Sequence, residues 1–125
     1  MWGYSMLNKA RVSEVMRRLG TMGLSQALIC DPLSIWYLTG YYTEPHERFL
    51  ALYLTGSCNE AEGVLFANRL FPDAATAADR VALYSDTDDP IALVADETNH
   101  GQTLGVDKEL KARWLLPLKI GRAHV

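Results

Sequence analysis

The run Ala27-Leu28-Ile29-Cys30, closed by Asp31-Pro32, decides the fold. Four apolar or small side chains in succession suit a strand buried on both faces, because a hairpin edge would alternate apolar with polar residues. Upstream, Val12, Val15, Met16, Leu19 and Met22 recur at spacings of three and four, which is one face of a helix over residues 5–22. Gly23 follows as its left-handed terminator. A helix feeding a strand covered on both sides implies a layered α/β domain.

Downstream, residues 33–40 carry large side chains and end at Gly40, so they read as a short helix or turn that drops Ile35, Trp36 and Leu38 onto the sheet. Trp36 and Tyr37 are read as core; Tyr41 and Tyr42 stay open between core and pocket. Strands follow at 49–54 and 63–67, and the short polar link between them predicts antiparallel pairing. The alanine-rich segment 70–78, with Pro72 near its start, reads as a helix, and 80–84 as the next strand. Asp88 and Asp89 before Pro90 predict a capped helix over 90–98. A short strand at 103–106 and a helix at 108–116 stopped by Pro117 complete the reading. The fold class is therefore α/β, a mixed sheet of about five strands flanked by helices.

At 125 residues, 13.9 kDa and 49% hydrophobic content, the chain has the length of one domain with a core of useful size. A net charge of -3 offers no basic field for nucleic acid or anionic lipid, and no apolar run is long enough to span a bilayer. Cys30 and Cys58 are too far apart in sequence to build a metal knuckle or a redox motif, and a reduced cytoplasmic setting fits them.

The densest chemistry is Thr43-Glu44-Pro45-His46-Glu47-Arg48-Phe49, which packs two acids, an imidazole and a guanidinium beside a buried strand. Pro45 favours extended or turning backbone before it, so the cluster belongs on a loop. Arg48 could clamp a carboxylate through two parallel hydrogen bonds, with His46 donating to the same anion. The alternative is a solvated loop whose charges pair among themselves for little energy, and residue types alone favour that plainer reading. His46-Glu47 opens the helical zinc-protease pattern, yet Leu50 stands where the second histidine should be. With three histidines in the chain, no metal site is expected. Asp86, Asp88 and Glu97 mimic positions of a calcium loop, but Ile91 occupies the glycine position, and helix capping explains the acids with fewer assumptions. Phosphate-cradling glycine loops and a nucleophile elbow are both missing.

Taken in order, the segments 23–29, Asp31-Pro32, Tyr37-Leu38-Thr39-Gly40-Tyr41-Tyr42, Pro45-His46-Glu47-Arg48-Phe49 and 84–90 resemble the N-terminal domain of Xaa-Pro dipeptidases (prolidases). These belong with aminopeptidase P and creatinase. The likeness covers nearly everything from residue 5 to residue 118. It implies a ribonuclease H-like mixed α/β domain at 1–118, followed in the family by a pita-bread catalytic domain that holds two divalent metals, such as Mn or Co, through two Asp, one His and two Glu. None of those ligands is in this chain, so no catalytic residue and no metal ligand is assigned to it. The resemblance further implies a homo-oligomer, a dimer first of all, in which the charged loop reaches over the neighbouring subunit's active site. Glu44, His46, Glu47 and Arg48 would then be the substrate-facing set, with a proline-containing dipeptide as substrate and no role for nucleic acid or membrane.

The chain alone is expected to be inactive. Two rival readings keep the fold: a free-standing assembly or binding module, and the N-terminal domain of a creatinase-like amidinohydrolase. Residues 120–125 carry no periodicity, and one permitted codon choice for them reads as a common sequencing-library adapter, so they are expected to lie outside the native sequence, which would continue past Lys119.

Overall fold

The computed structural model describes residues 6–121. Helix α1 (Lys9–Thr21) leads into strand β1 (Gln26–Ile29), then α2 (Pro32–Thr39), β2 (Ala51–Thr55) and β3 (Glu62–Asn68). A 3-10 turn at Pro72–Thr76 precedes β4 (Arg80–Tyr84), and α3 (Pro90–Glu97), β5 (Gly105–Val106) and α4 (Ala112–Gly121) follow. The five strands lie in the order β4-β3-β2-β1-β5. β2 is antiparallel to both β1 and β3, whereas β3 with β4 and β1 with β5 run parallel, so the sheet is mixed as the sequence implies.

The period of two along residues 49–54 builds both cores at once. Leu50, Leu52 and Leu54 face a cluster with Val12 and Met16 of α1 and Ile35 and Leu38 of α2. Phe49, Ala51 and Tyr53 face the opposite cluster with Ile91 and Val94 of α3 and Leu118 of α4. β1 is the both-sides-buried strand its apolar run predicts: Ala27 joins the sheet at 3% exposure and Leu28 at 0%.

Local chemistry sets the boundaries. Asn8 caps α1 by accepting from the Arg11 amide at 3.1 Å, so this helix begins later than residue 5, which lies outside the described residues. Gly23 closes the segment at φ 78°. Asp31 and Asp89 cap α2 and α3, each with proline in the first turn. At the β2–β3 turn, Gly56 holds φ 110°, and a Cβ there would sit 2.4 Å from the Glu60 carbonyl oxygen.

Four expectations need correction. Trp36 and Tyr37 are not core: Ile35 and Leu38 face inward on α2, which turns Leu33, Trp36 and Tyr37 outward at 62%, 53% and 53% exposure. The Arg11 guanidinium instead stacks over the Tyr37 ring at 4.2 Å. Segment 70–78 makes only the 3-10 turn Pro72–Thr76, in which Ala74, with Ala77 and Ala78 just beyond it, is buried in the core although no α-helix forms. The strand at 103–106 shrinks to the paired Gly105 and Val106. Finally, Pro117 does not stop the last helix but lies inside it, and residues 108–110 form a turn. A proline at that position removes one backbone hydrogen bond, and the full burial of Leu118 holds the following turn against α3. Ile120 and Gly121 close α4; residues 122–125 lie outside the described residues. No helix among the described residues is long and apolar enough to cross a membrane.

Candidate functional site: the charged loop before β2

The charged cluster lies on the irregular segment between α2 and β2. Its backbone is fixed from two sides. The Arg48 amide donates to the Pro45 carbonyl at 3.0 Å, closing a turn in which His46 takes φ 55°, a left-handed conformation uncommon outside glycine. From the residue just before the last helix, Lys111 Nζ reaches the His46 carbonyl at 3.4 Å, and from within α4 the Arg113 guanidinium donates to the Glu47 carbonyl. Phe49 is buried and meets Trp114 edge to face at 5.5 Å, while the Tyr84 hydroxyl donates to the Phe49 carbonyl at 2.5 Å. The loop is a fixed turn whose backbone α4 and β4 tie down.

The side chains of Glu44, His46, Glu47 and Arg48 are all exposed. Glu44, His46 and Arg48 line a cleft of about 190 Å³ whose other wall is Cys30, Glu109, Lys111 and Trp114. Glu47 and Arg48 border a second, wider one of about 550 Å³ with Tyr84, Asp86, Asp88 and Asp89. Arg48 is thus the one predicted residue common to both. Glu44 also accepts from the Tyr42 hydroxyl, which holds that phenol's proton more tightly and raises its pKa. Tyr42 is exposed, whereas Tyr41 packs partly against the α1–α2 core.

Arg48 has a protein partner that the residue-type argument missed. Its Nε and Nη2 donate to the two oxygens of Asp86 at 3.1 and 3.0 Å, a bidentate pair. Asn68, at the end of β3 and 1% exposed, donates from Nδ2 to Asp86 Oδ1 at 2.7 Å. The Arg48 hydrogen bonds, and after them the Asn68 one, hold the Asp86 carboxyl below the ordinary aspartate value of 3.8. The same bond pushes the Arg48 guanidinium further up. The acids after β4 therefore divide the work. Asp86 pairs with Arg48, Asp88 accepts from the Ser85 amide, which lowers its own pKa, and Asp89 caps α3. The signal for Asp86 was positional: Asn68 and Tyr84 are register partners in the β3–β4 pair, so a residue two beyond Tyr84 emerges beside Asn68.

Among the described residues, no three His, Cys, Asp or Glu side chains gather closely enough to hold a metal ion. Cys30, at the cleft wall, is a poor nucleophile, because burial and then the nearby Asp107 charge push its thiol pKa up. The exposed acids, imidazole and guanidinium beside the two clefts are groups that can pair with a charged ligand.

Residues 11–119 match the creatinase/prolidase N-terminal domain family. An uncharacterized peptidase of Staphylococcus aureus is 29% identical over 92 residues, which cover 71% of this chain and 25% of that protein. The chain thus spans about a quarter of the length of the curated relatives it matches. The N-terminal domain of an X-Pro dipeptidase from Streptococcus pyogenes superposes with a TM-score of 0.79 at 25% identity, covering 94% of this chain and 91% of that one. A prolidase from Thermococcus sibiricus shares the fold at a TM-score of 0.77 and 24% identity, with 93% of this chain matched to 32% of that one. A family match across most of the chain, joined to the same fold, means that this protein belongs to the creatinase/prolidase N-terminal domain family.

Proposed function

We propose that this chain is the non-catalytic N-terminal domain of a metal-dependent Xaa-Pro dipeptidase, that it joins two subunits, and that its loop at 44–48 faces a proline-containing dipeptide in the neighbouring subunit's cleft. The observation that carries this reading is the contrast within the loop: backbone pinned by Lys111 and Arg113, charged side chains left exposed beside two clefts. A merely solvated loop has no need of such fixation. A binding element does, because ordering charged side chains before the ligand arrives reduces the entropy lost on binding.

In this reading a dipeptide presents a carboxylate to Arg48 or His46 and an ammonium to Glu44 or Glu47. The metal ligands and the hydrolytic step belong to a following domain, and this chain contributes orientation and exclusion of poorly matched substrates. The free, separated cysteines support a reduced, cytoplasmic setting. The test is Arg48→Ala in the full-length enzyme. The Michaelis constant for Xaa-Pro dipeptides should rise while thermal stability and subunit association stay near wild type. Unchanged kinetics with the dimer intact would return the cluster to a solvated surface.

A further inference from the structure

A planar guanidinium has two usable edges for a carboxylate. One is formed by Nε with Nη2, the other by Nη1 with Nη2. In this protein the first edge of Arg48 is filled by Asp86 in two bonds of 3.1 and 3.0 Å, while Nη1 makes no hydrogen bond among the described residues. Asp86 is itself seated. Asn68 is buried at the end of β3, its Oδ1 accepts from the Leu70 amide at 2.9 Å, and its Nδ2 donates to Asp86 at 2.7 Å. A line of fixed contacts therefore runs from the sheet through Asn68 and Asp86 to Arg48.

We propose that Asp86 is a positioning residue: seated on Asn68, it grips the Nε edge of Arg48 and leaves the Nη1–Nη2 edge presented to the carboxylate of a bound peptide. This rests on the reading of the loop as a substrate-facing element and adds a residue outside the loop that sets its geometry. Two features distinguish positioning from simple charge pairing. The grip is bidentate, which fixes the plane of the guanidinium as well as its place. It also comes from the sheet side, through a buried amide, and not from a neighbour on the same loop.

The first arm of the test uses the 125-residue chain. Nitrogen-15 spectra should show the Arg48 Nε–H protected from exchange in wild type, and Asp86→Asn, which keeps the shape but breaks the two-oxygen grip, should remove that protection with the fold intact. Protection that survives in Asp86→Asn contradicts the proposal. The second arm uses the full-length dipeptidase. Asp86→Asn and Asp86→Ala should each raise KM for an Xaa-Pro dipeptide roughly tenfold, the scale of one hydrogen bond to a charged group, with kcat nearly unchanged. Neither should add to the effect of Arg48→Ala in the double variant. Because Asp86→Asn removes no volume, a folding defect confined to Asp86→Ala leaves the test standing. If Arg48→Ala raises KM and the Asp86 variants do not, positioning fails while the loop reading survives. If the Asp86 variants lower KM, Asp86 competes with substrate and the proposal is overturned. If no variant moves KM, the loop reading itself has failed and this inference goes with it.

Discussion

Arg48 and Asp86 are 38 residues apart in sequence and meet because the start of β2 lies beside the end of β3, and the end of β3 beside that of β4. The acid's depressed pKa gives that contact a pH signature. A carboxyl held lower in the folded chain than in the unfolded one contributes stability above the unfolded value and loses it as pH falls through the folded value. The pair should thus be intact at neutral pH and open only in acid, below 3.8. Carbon-13 titration of the Asp86 carboxyl checks this: its midpoint should lie below 3.8 in wild type and move up toward it in Arg48→Ala. A midpoint unmoved by that substitution would deny the bidentate bond. His46 supplies a second residue-scale test through its φ of 55°. A β-branched side chain is strained there, so His46→Val should cost about 1–2 kcal/mol by denaturant unfolding, whereas His46→Gly should cost much less. Equal stabilities would mean the turn is not held as described. The charged loop itself was legible because Glu44, His46, Glu47 and Arg48 are contiguous. Asp86 was not assigned to Arg48, because a partner brought in by strand register leaves no mark in local spacing.

Among the elements, the strands were read best. Continuous apolar runs place β1 to β4 within a residue or two, since burial on both faces demands such runs. The helices that failed were those for which tertiary packing overrode local propensity: the alanines after Pro72 and the helix around Pro117. Gln26 shows another limit. It is fully buried in β1 and joins the sheet to the loop after α3. Its Oε1 accepts from the Tyr53 hydroxyl at 2.5 Å and the Asn99 amide at 3.0 Å, and its Nε2 donates to the Asn99 and Gln102 carbonyls at 2.8 and 3.0 Å. No sequence pattern marks it. Gln26→Leu should therefore destabilise by at least about 2 kcal/mol despite its greater hydrophobicity, because each buried polar group left without a partner costs about 1–3 kcal/mol. Chemical denaturation measures this, and a leucine variant as stable as wild type would contradict the polar bridge.

At the scale of the molecule, the sheet has α1 and α2 on one face and α3 and α4 on the other, and the charged loop enters its central strand β2, held by Lys111 and by Arg113 of α4. Leu33, Trp36 and Tyr37 form an outward apolar row on α2 that a second copy of the chain can cover. The isolated chain should self-associate as its concentration rises; a strictly monomeric sedimentation profile at high concentration would count against that. Whether the loop serves a neighbouring subunit is decided most directly by subunit mixing in the full-length enzyme. One subunit carries Arg48→Ala and an intact catalytic domain; the other carries the native loop and an inactivated catalytic domain. If the loop acts across the interface, mixed dimers regain a population of sites with the wild-type KM. If it acts within its own subunit or not at all, mixing restores nothing and the KM stays that of Arg48→Ala.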